Sequence, residues 1–302
     1  MTPNGFETLA SLLYAGSGLA IGPDKLYLLE NRLDSVMKKH AVGSLDALAA
    51  KVHQVSASRP PGILEQDIIE AMTTNESFFF RDEKPFTHFR THALPRLVST
   101  RPPNAKLRIW SAAASTGQEA YSLAMILSDQ KALLGGRSVE IIGTDIAREP
   151  LARAQDGLYT QFEVQRGLPI QNLVRHFRKD GLNWRVSDAL RSMVQFKVAN
   201  LLGDLRGLGQ FDIVFCRNVL IYFDQPTKTV VLESIARQMT ADGHLYLGGA
   251  ETVLGLTNAF VSIPGERGVY ERAAASASQS ARASGIAVNP TLAAGAALPA
   301  TR

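Results

Sequence analysis

"RIWSAAASTGQEAYSLAM", residues 108–125, begins as a strand-length apolar run, crosses a turn built only of Ala, Ser, Thr and Gly, and ends as the start of a helix. Small side chains in such a turn let backbone approach a ligand. The stretch has neither GxGxxG nor a GK[ST] ending, so it supports neither a dinucleotide fingerprint nor a triphosphate loop. Downstream, "VEIIGTDI" (139–146), "VQFKVANL" (194–201), "FDIVFCRN" (211–218) and "GHLYLGGAE" (243–251) are further apolar runs closing in turn chemistry, separated by helical patterns. This alternation predicts an α/β fold: a doubly wound, mostly parallel sheet with helices on both faces. The segment 159–193 between the second and third runs is too long and irregular for one crossover helix and reads as an inserted subdomain.

Upstream, residues 6–72 read as helices. "DKLYLLENRLDSVMKKHAV" (24–42) begins with Asp24 as a predicted N-cap, and Leu26, Leu29, Leu33, Val36, Met37 and His40 recur at helical spacing. Lys25, Arg32 and Lys39, seven apart, line the flank of that stripe, either as a solvated edge or as a basic strip for an acidic partner. "SASRPPG" (56–62) is a loop by composition, and "ILEQDIIEAMT" (63–73) returns to helix. His88 and His92 stand four apart without an HExxH glutamate or a third ligand, and read as surface histidines.

With 302 residues and 45% apolar content, the chain can bury a large core in two unequal domains. A single cysteine, Cys216, rules out an intramolecular disulfide and a cysteine-based metal site. No metal is expected. No apolar run approaches ~18 residues and no secretory leader is apparent, so a cytoplasmic protein without membrane insertion is expected. The formal charge of +4 does not imply nucleic acid. The tail 273–302, Ala/Ser/Gly-rich with arginine and no acid or aromatic, is expected to be disordered.

In an open parallel sheet, ligands bind beyond the carboxyl ends of the strands. Glu119, in the first helical turn after "SAAASTG", either accepts from a ligand ammonium or complements the helix dipole. Asp145, at the end of "IIGTD", is placed to receive two ribose hydroxyls. Together they point to an adenosine ligand without a triphosphate. Asn200 and Leu201 offer a polar and an apolar group to an adenine edge and face, and "CRNVLIYF" brings Arg217, Asn218 and Tyr222 to the same rim.

"TTNESFFFRD" (73–82), "RIWSAAASTGQEAYSLAM", "GTDI", "VANLL" and "FDIVFCRNVLIYF" occur in this order and together resemble the CheR family of chemotaxis receptor methyltransferases, over residues 6–272. The resemblance implies a Rossmann-like class I S-adenosylmethionine-dependent methyltransferase sheet. It also implies an N-terminal all-helical domain (1–72), a linker and interdomain helix (73–104), and a methyltransferase domain (105–272) with a small inserted antiparallel β-subdomain (about 157–192). The implied reaction is methyl transfer from S-adenosylmethionine to glutamate carboxylates of a chemoreceptor's cytoplasmic helical bundle, with S-adenosylhomocysteine as product. A monomer is expected.

Carried over by position, the cofactor residues are Asn75, Ser77, Arg81, Glu119, Asp145, Asn200, Leu201, Arg217 and Asn218. The resemblance places Tyr222 next to the transferred methyl, and Arg81, Arg217 and the Tyr222 hydroxyl are the catalytic candidates to hold the acceptor carboxylate. The linker closes over the cofactor, with part of Phe78–Phe80 plugging the domain interface, and Lys25, Arg32 and Lys39 become candidates for receptor docking. The family's GEEPYS becomes "GQEAYS", with Gln118 and Ala120 substituted and Glu119 kept, while Ser77 stands where threonine is common. "RHFRKDGLNWRV" (175–186) is shorter than in members that grip a receptor's C-terminal pentapeptide and lacks their glycine-rich extension, so tethering by that route is not implied. Two rivals are weighed. A nucleic-acid amino-methyltransferase would carry an NPPY-like motif where "CRNVLIYF" stands. A cofactor-binding regulatory or adaptor module would transfer no methyl group; the intact cofactor set with Tyr222 argues against it, and loss of Glu119 or Asp145 would have favoured it.

Overall fold

The computed structural model describes residues 1–52 and 60–273. The expected tail, apart from Ala273, and part of the 56–62 loop lie outside the described residues.

Four helices come first: α1 (Pro3–Ser17), α2 (Leu26–Lys39), α3 (Leu45–Lys51) and α4 (Ile63–Met72). Leu9, Leu12 and Leu13 of α1, Leu29, Leu33 and Val36 of α2, and Ile68, Ile69 and Met72 of α4 share one apolar core. The stripe at helical spacing on α2 is therefore its packed face. Asp24 is not the N-cap predicted for α2. A single 3₁₀ turn, Pro23–Lys25, precedes the helix, because Pro23 suits the first position of a turn and starts it earlier.

"TTNESFFFRD" follows as irregular chain and leads into α5 (Glu83–His88), a π turn (Phe89–Ala93) and α6 (Leu94–Thr100), one continuous helical path. His88 is a correction: it is buried, with Nδ1 2.9 Å from the Tyr246 hydroxyl. Its neighbours Phe86 and Phe89 both face the core, which draws His88 inward, while His92 stays exposed and stacks on it with ring centroids 5.1 Å apart.

The sheet-bearing part of the chain contains β1 (Leu107–Ala112), α7 (Gln118–Asp129), α8 (Lys131–Leu134), β2 (Val139–Asp145), α9 (Arg148–Asp156), β3 (Leu158–Tyr159), α10 (Gln161–Gln165), α11 (Ile170–His176), β4 (Phe177–Asp180), β5 (Asn183–Val186), α12 (Asp188–Arg191), β6 (Val194–Val198), β7 (Phe211–Cys216), α13 (Gln225–Arg237), β8 (Met239–Leu247), β9 (Phe260–Ser262) and β10 (Val269–Arg272). The main sheet runs β6-β2-β1-β7-β8-β10-β9. Its first five strands are parallel, and β10 pairs antiparallel with both β8 and β9. Central β1 and β7 are largely apolar on both faces because helices cover both, and Ile109 pairs with Ile141 on one side and Ile213 on the other. A second, three-stranded antiparallel sheet, β3-β5-β4, forms the insert between β2 and β6. The fold is the Rossmann-like class predicted.

The phenylalanine run divides its work. Phe79 is fully buried, edge-on to Tyr159 and Phe177 of the insert at 5.1 and 5.6 Å. Phe80 packs on Phe86 at 5.4 Å. Phe78 lies under the guanidiniums of Arg166 and Arg81, at 4.5 and 5.3 Å.

Candidate cofactor and active site

The carboxyl ends of β1, β2, β6 and β7 open into a cavity of about 320 Å³, roofed by α1, α2 and the linker. That size suits a small organic ligand. Asn75, Ser77, Arg81, Glu119, Asp145, Asn200, Leu201, Arg217, Asn218 and Tyr222 all line it, as do Lys25 and Arg32; Lys39 does not.

The turn after β1 is held in an uncommon shape. Ala113, Ser115 and Gly117 have φ of 60°, 50° and 91°, in the left-handed region, where only glycine is at ease. The shape turns the Ser115 amide toward Asp145, whose Oδ2 accepts it at 2.7 Å while Oδ1 accepts from Ala147 N–H, two residues past Asp145 itself, at 3.0 Å. Burial pushes the Asp145 carboxyl above the usual carboxylate range, and these amide donors oppose the shift. The Ser115 hydroxyl donates to the Asn75 carbonyl at 2.8 Å, tying the turn to the linker.

Glu119 enters from the first turn of α7. Ser111 Oγ donates to it at 2.8 Å and Arg217 Nη1 at 3.2 Å. Burial pushes its carboxyl up, against the pull of Arg217 and Ser111. Arg217, with a side chain only 1% exposed, also donates to the Arg81 carbonyl at 2.7 Å and to Asp82 at 2.8 Å. It therefore fastens the linker to the end of β7.

The third-strand residues lie slightly beyond the strand, since β6 ends at Val198. Asn200 donates to the Gly16 carbonyl of α1 at 2.6 Å, which draws the helical roof onto the sheet. The basic flank of α2 is engaged internally at two of its three positions. Arg32 donates to the carbonyls of Met72 and Thr73 at 2.7 and 3.1 Å and to Thr74 Oγ1 at 3.1 Å, and Lys39 pairs with Asp67 at 2.8 Å. Sequence reasoning missed this role of Arg32, since spacing reports a face and not a partner 40 residues away. It also missed Glu251, buried just after β8, whose carboxylate accepts the amides of Asn218, Val219 and Leu220. Its position past a strand's carboxyl end was the signal available.

Residues 75–269 match the CheR methyltransferase, SAM binding domain. The chain belongs to the CheR methyltransferase family. Among similar proteins, chemotaxis protein methyltransferase 1 of Pseudomonas aeruginosa is 37% identical over 89% of this chain and 97% of its own. Chemotaxis protein methyltransferase Cher2 of Pseudomonas putida is 35% identical over the same shares. Of solved structures, a TehB-like SAM-dependent methyltransferase from Corynebacterium glutamicum covers 64% of this chain and 96% of that one, with 16% identity and a TM-score of 0.34.

This CheR methyltransferase uses S-adenosylmethionine, and its cavity suits that cofactor. Two carboxylates at or just past neighbouring strand ends, buried Asp145 and partly buried Glu119, offer acceptors for hydroxyl and ammonium donors, and Ile146 and Leu201 add apolar wall. Among the described residues, no helix is long and apolar enough to cross a membrane.

Proposed function

We propose that the enzyme transfers the methyl group of S-adenosylmethionine to glutamate side chains on the cytoplasmic helical bundle of a chemoreceptor, giving methyl esters and S-adenosylhomocysteine. The observation that carries this reading is the absence of a free base. The described residues lining the cavity include no histidine or cysteine. Each lining carboxylate is engaged: Glu119 with Arg217, Asp145 with backbone amides, and Glu76 with Arg166. An amine or hydroxyl acceptor would need its proton removed, whereas a carboxylate arrives ionised.

The bound cofactor supplies a sulfonium-activated methyl group. A carboxylate oxygen forms the new O–CH₃ bond as the S–CH₃ bond breaks, no proton moves, and both formal charges vanish. A site that strips water from the acceptor favours such charge annihilation. Arg81 and Lys25 line the cavity without an ion pair among the described residues and are assigned to hold the incoming anion. Asn75, Ser77, Asn200, Leu201 and Asn218 are assigned to cofactor binding, with Glu119, Asp145 and Arg217. Receptor docking is assigned to the α2 flank, where Lys25 is the member left free to meet an acidic surface.

Tritiated methyl transfer to receptor cytoplasmic fragments tests the reading. Label released by base as volatile methanol is the expected result. Base-stable label, or none across several receptors despite cofactor binding, overturns it.

A further inference from the structure

Glu251 touches no part of the cavity, yet it is the most heavily hydrogen-bonded carboxylate beside it. Its Oε1 accepts from Val219 and Leu220 N–H at 2.9 and 2.7 Å, and its Oε2 from Asn218 and Gly248 N–H at 2.8 and 2.6 Å. A carboxylate offers about four acceptor sites, so this one is saturated by backbone donors alone. Three of the four amides are consecutive and converge because Asn218 adopts φ 57°, forming a concave anion nest that the protein's own side chain fills. Gly248 is required for the approach: a Cβ there would lie 2.7 Å from Glu251 Oε2 and 2.8 Å from Asn218 Nδ2.

The amides held in this way belong to the loop that builds the acceptor side of the cavity. Asn218, Val219, Tyr222 and Phe223 line it, and the single 3₁₀ turn Leu220–Tyr222 starts at an amide that Glu251 accepts. Tyr222, at the end of that turn, is 37% exposed, so the anchored end of the turn sets where its hydroxyl stands. No other side chain accepts all four donors. Glutamine would set an NH₂ group against two N–H groups, and aspartate is one methylene too short to reach all four.

We propose that Glu251 is a positioning residue for methyl transfer: through the Asn218–Tyr222 loop it sets the Tyr222 hydroxyl against the reacting groups. The proposal rests on the methyl-transfer reading proposed above, with Tyr222, a cavity-lining residue, taken beside the transferred methyl as the family resemblance implies. Of the residues assigned to cofactor binding, Glu251 holds only Asn218, and that by its backbone amide, whereas Asp145, Glu119 and the linker are held by other groups. A misplacement of ~1 Å costs about 100-fold in rate.

In the methyl-release assay, Glu251→Gln should lower kcat about 10- to 100-fold, with the Kd for S-adenosylhomocysteine by calorimetry changed less than about threefold. Tyr222→Phe added to Glu251→Gln should cost little more, because the hydroxyl is already misplaced. Millimolar formate should restore part of the activity of Glu251→Ala by refilling the nest. An unchanged kcat in Glu251→Gln, or full additivity with Tyr222→Phe, overturns the proposal. Amide exchange over 218–220 needs no acceptor and is read in parallel: faster exchange by tenfold or more in Glu251→Gln is expected, and wild-type rates there overturn the proposal even if the wild-type enzyme labels no receptor. A failure of the wild-type enzyme to form base-labile esters, with the exchange result as expected, overturns the glutamate reading instead.

Discussion

Tyr222 and Asp145 line the same cavity but are held in opposite ways, and their variants should separate binding from chemistry. The Tyr222 hydroxyl has no hydrogen-bond partner among the described residues, so nothing in the resting protein consumes it. A hydrogen bond to a charged group contributes about 1.5–3 kcal/mol, so Tyr222→Phe should lower kcat roughly 10- to 100-fold and leave S-adenosylhomocysteine affinity near wild type. Asp145 is braced by two amide donors on its two oxygens. Asparagine would turn an NH₂ against one of them and lose the charge. Asp145→Asn should therefore weaken S-adenosylhomocysteine binding about 10- to 100-fold, with kcat at saturating cofactor much less affected. Calorimetry beside single-turnover kinetics reads both, and a large affinity loss in Tyr222→Phe with unchanged turnover would contradict its role.

At the scale of elements, the linker is held from both ends. Arg32 of α2 binds the carbonyls at its start, and Arg217 after β7 binds the Arg81 carbonyl at its end. Lysine cannot reproduce the Arg32 fork to two carbonyls and a hydroxyl. Arg32→Lys should raise the Kd for S-adenosylhomocysteine by about three- to tenfold, since one or two ordinary hydrogen bonds are lost next to Asn75. A change confined to the KM for receptor fragments would mean that Arg32 acts only in docking. The five parallel strands were legible in the sequence because runs such as "IVFC", apolar throughout, belong to strands covered on both faces, and the insert because 159–193 is too long for one crossover helix. The residues at their carboxyl ends were legible for the same reason: topology alone brings Glu119, Asp145 and Tyr222 to one cavity. The inward turn of His88, the hold of Arg32 on residues 72–74 and the four-amide grip of Glu251 depend on partners tens to more than a hundred residues away. Local periodicity carries no record of such pairings.

Across the whole molecule, the path from Glu83 to Thr100 is clamped to β8 and β10, His88 reaching Tyr246 and Arg96 reaching Glu271, and two buried histidines, His88 and His244, lie at this contact. His244 of β8 is 2% exposed, its Nε2 accepts from Arg96 Nη1 at 3.3 Å, and its Nδ1 has no partner. An accepting Nε2 requires the neutral ring, so the Arg96 contact, and not the 3.4 Å approach to Glu271, describes its state near neutral pH. Burial pushes its pKa down to about 4; Glu271 and Asp242 pull it up, and Arg96 and His88 push it further down. Burial lowers His88 in the same direction. An unfolded histidine titrates near 6.5, so between pH ~6.5 and ~4 the unfolded chain binds a proton that the native chain refuses. The native state's advantage from His244 is complete above that window and disappears as the pH falls through it, a loss on the order of 3 kcal/mol. His244→Gln keeps an acceptor for Arg96 and does not titrate. Urea denaturation at pH 7.5 and pH 4.5 should show a smaller acid-induced loss of stability in His244→Gln than in the wild type, with the two proteins within about 2 kcal/mol at pH 7.5. Equal losses in both would place the acid sensitivity of the clamp elsewhere, with His88 the next group to replace.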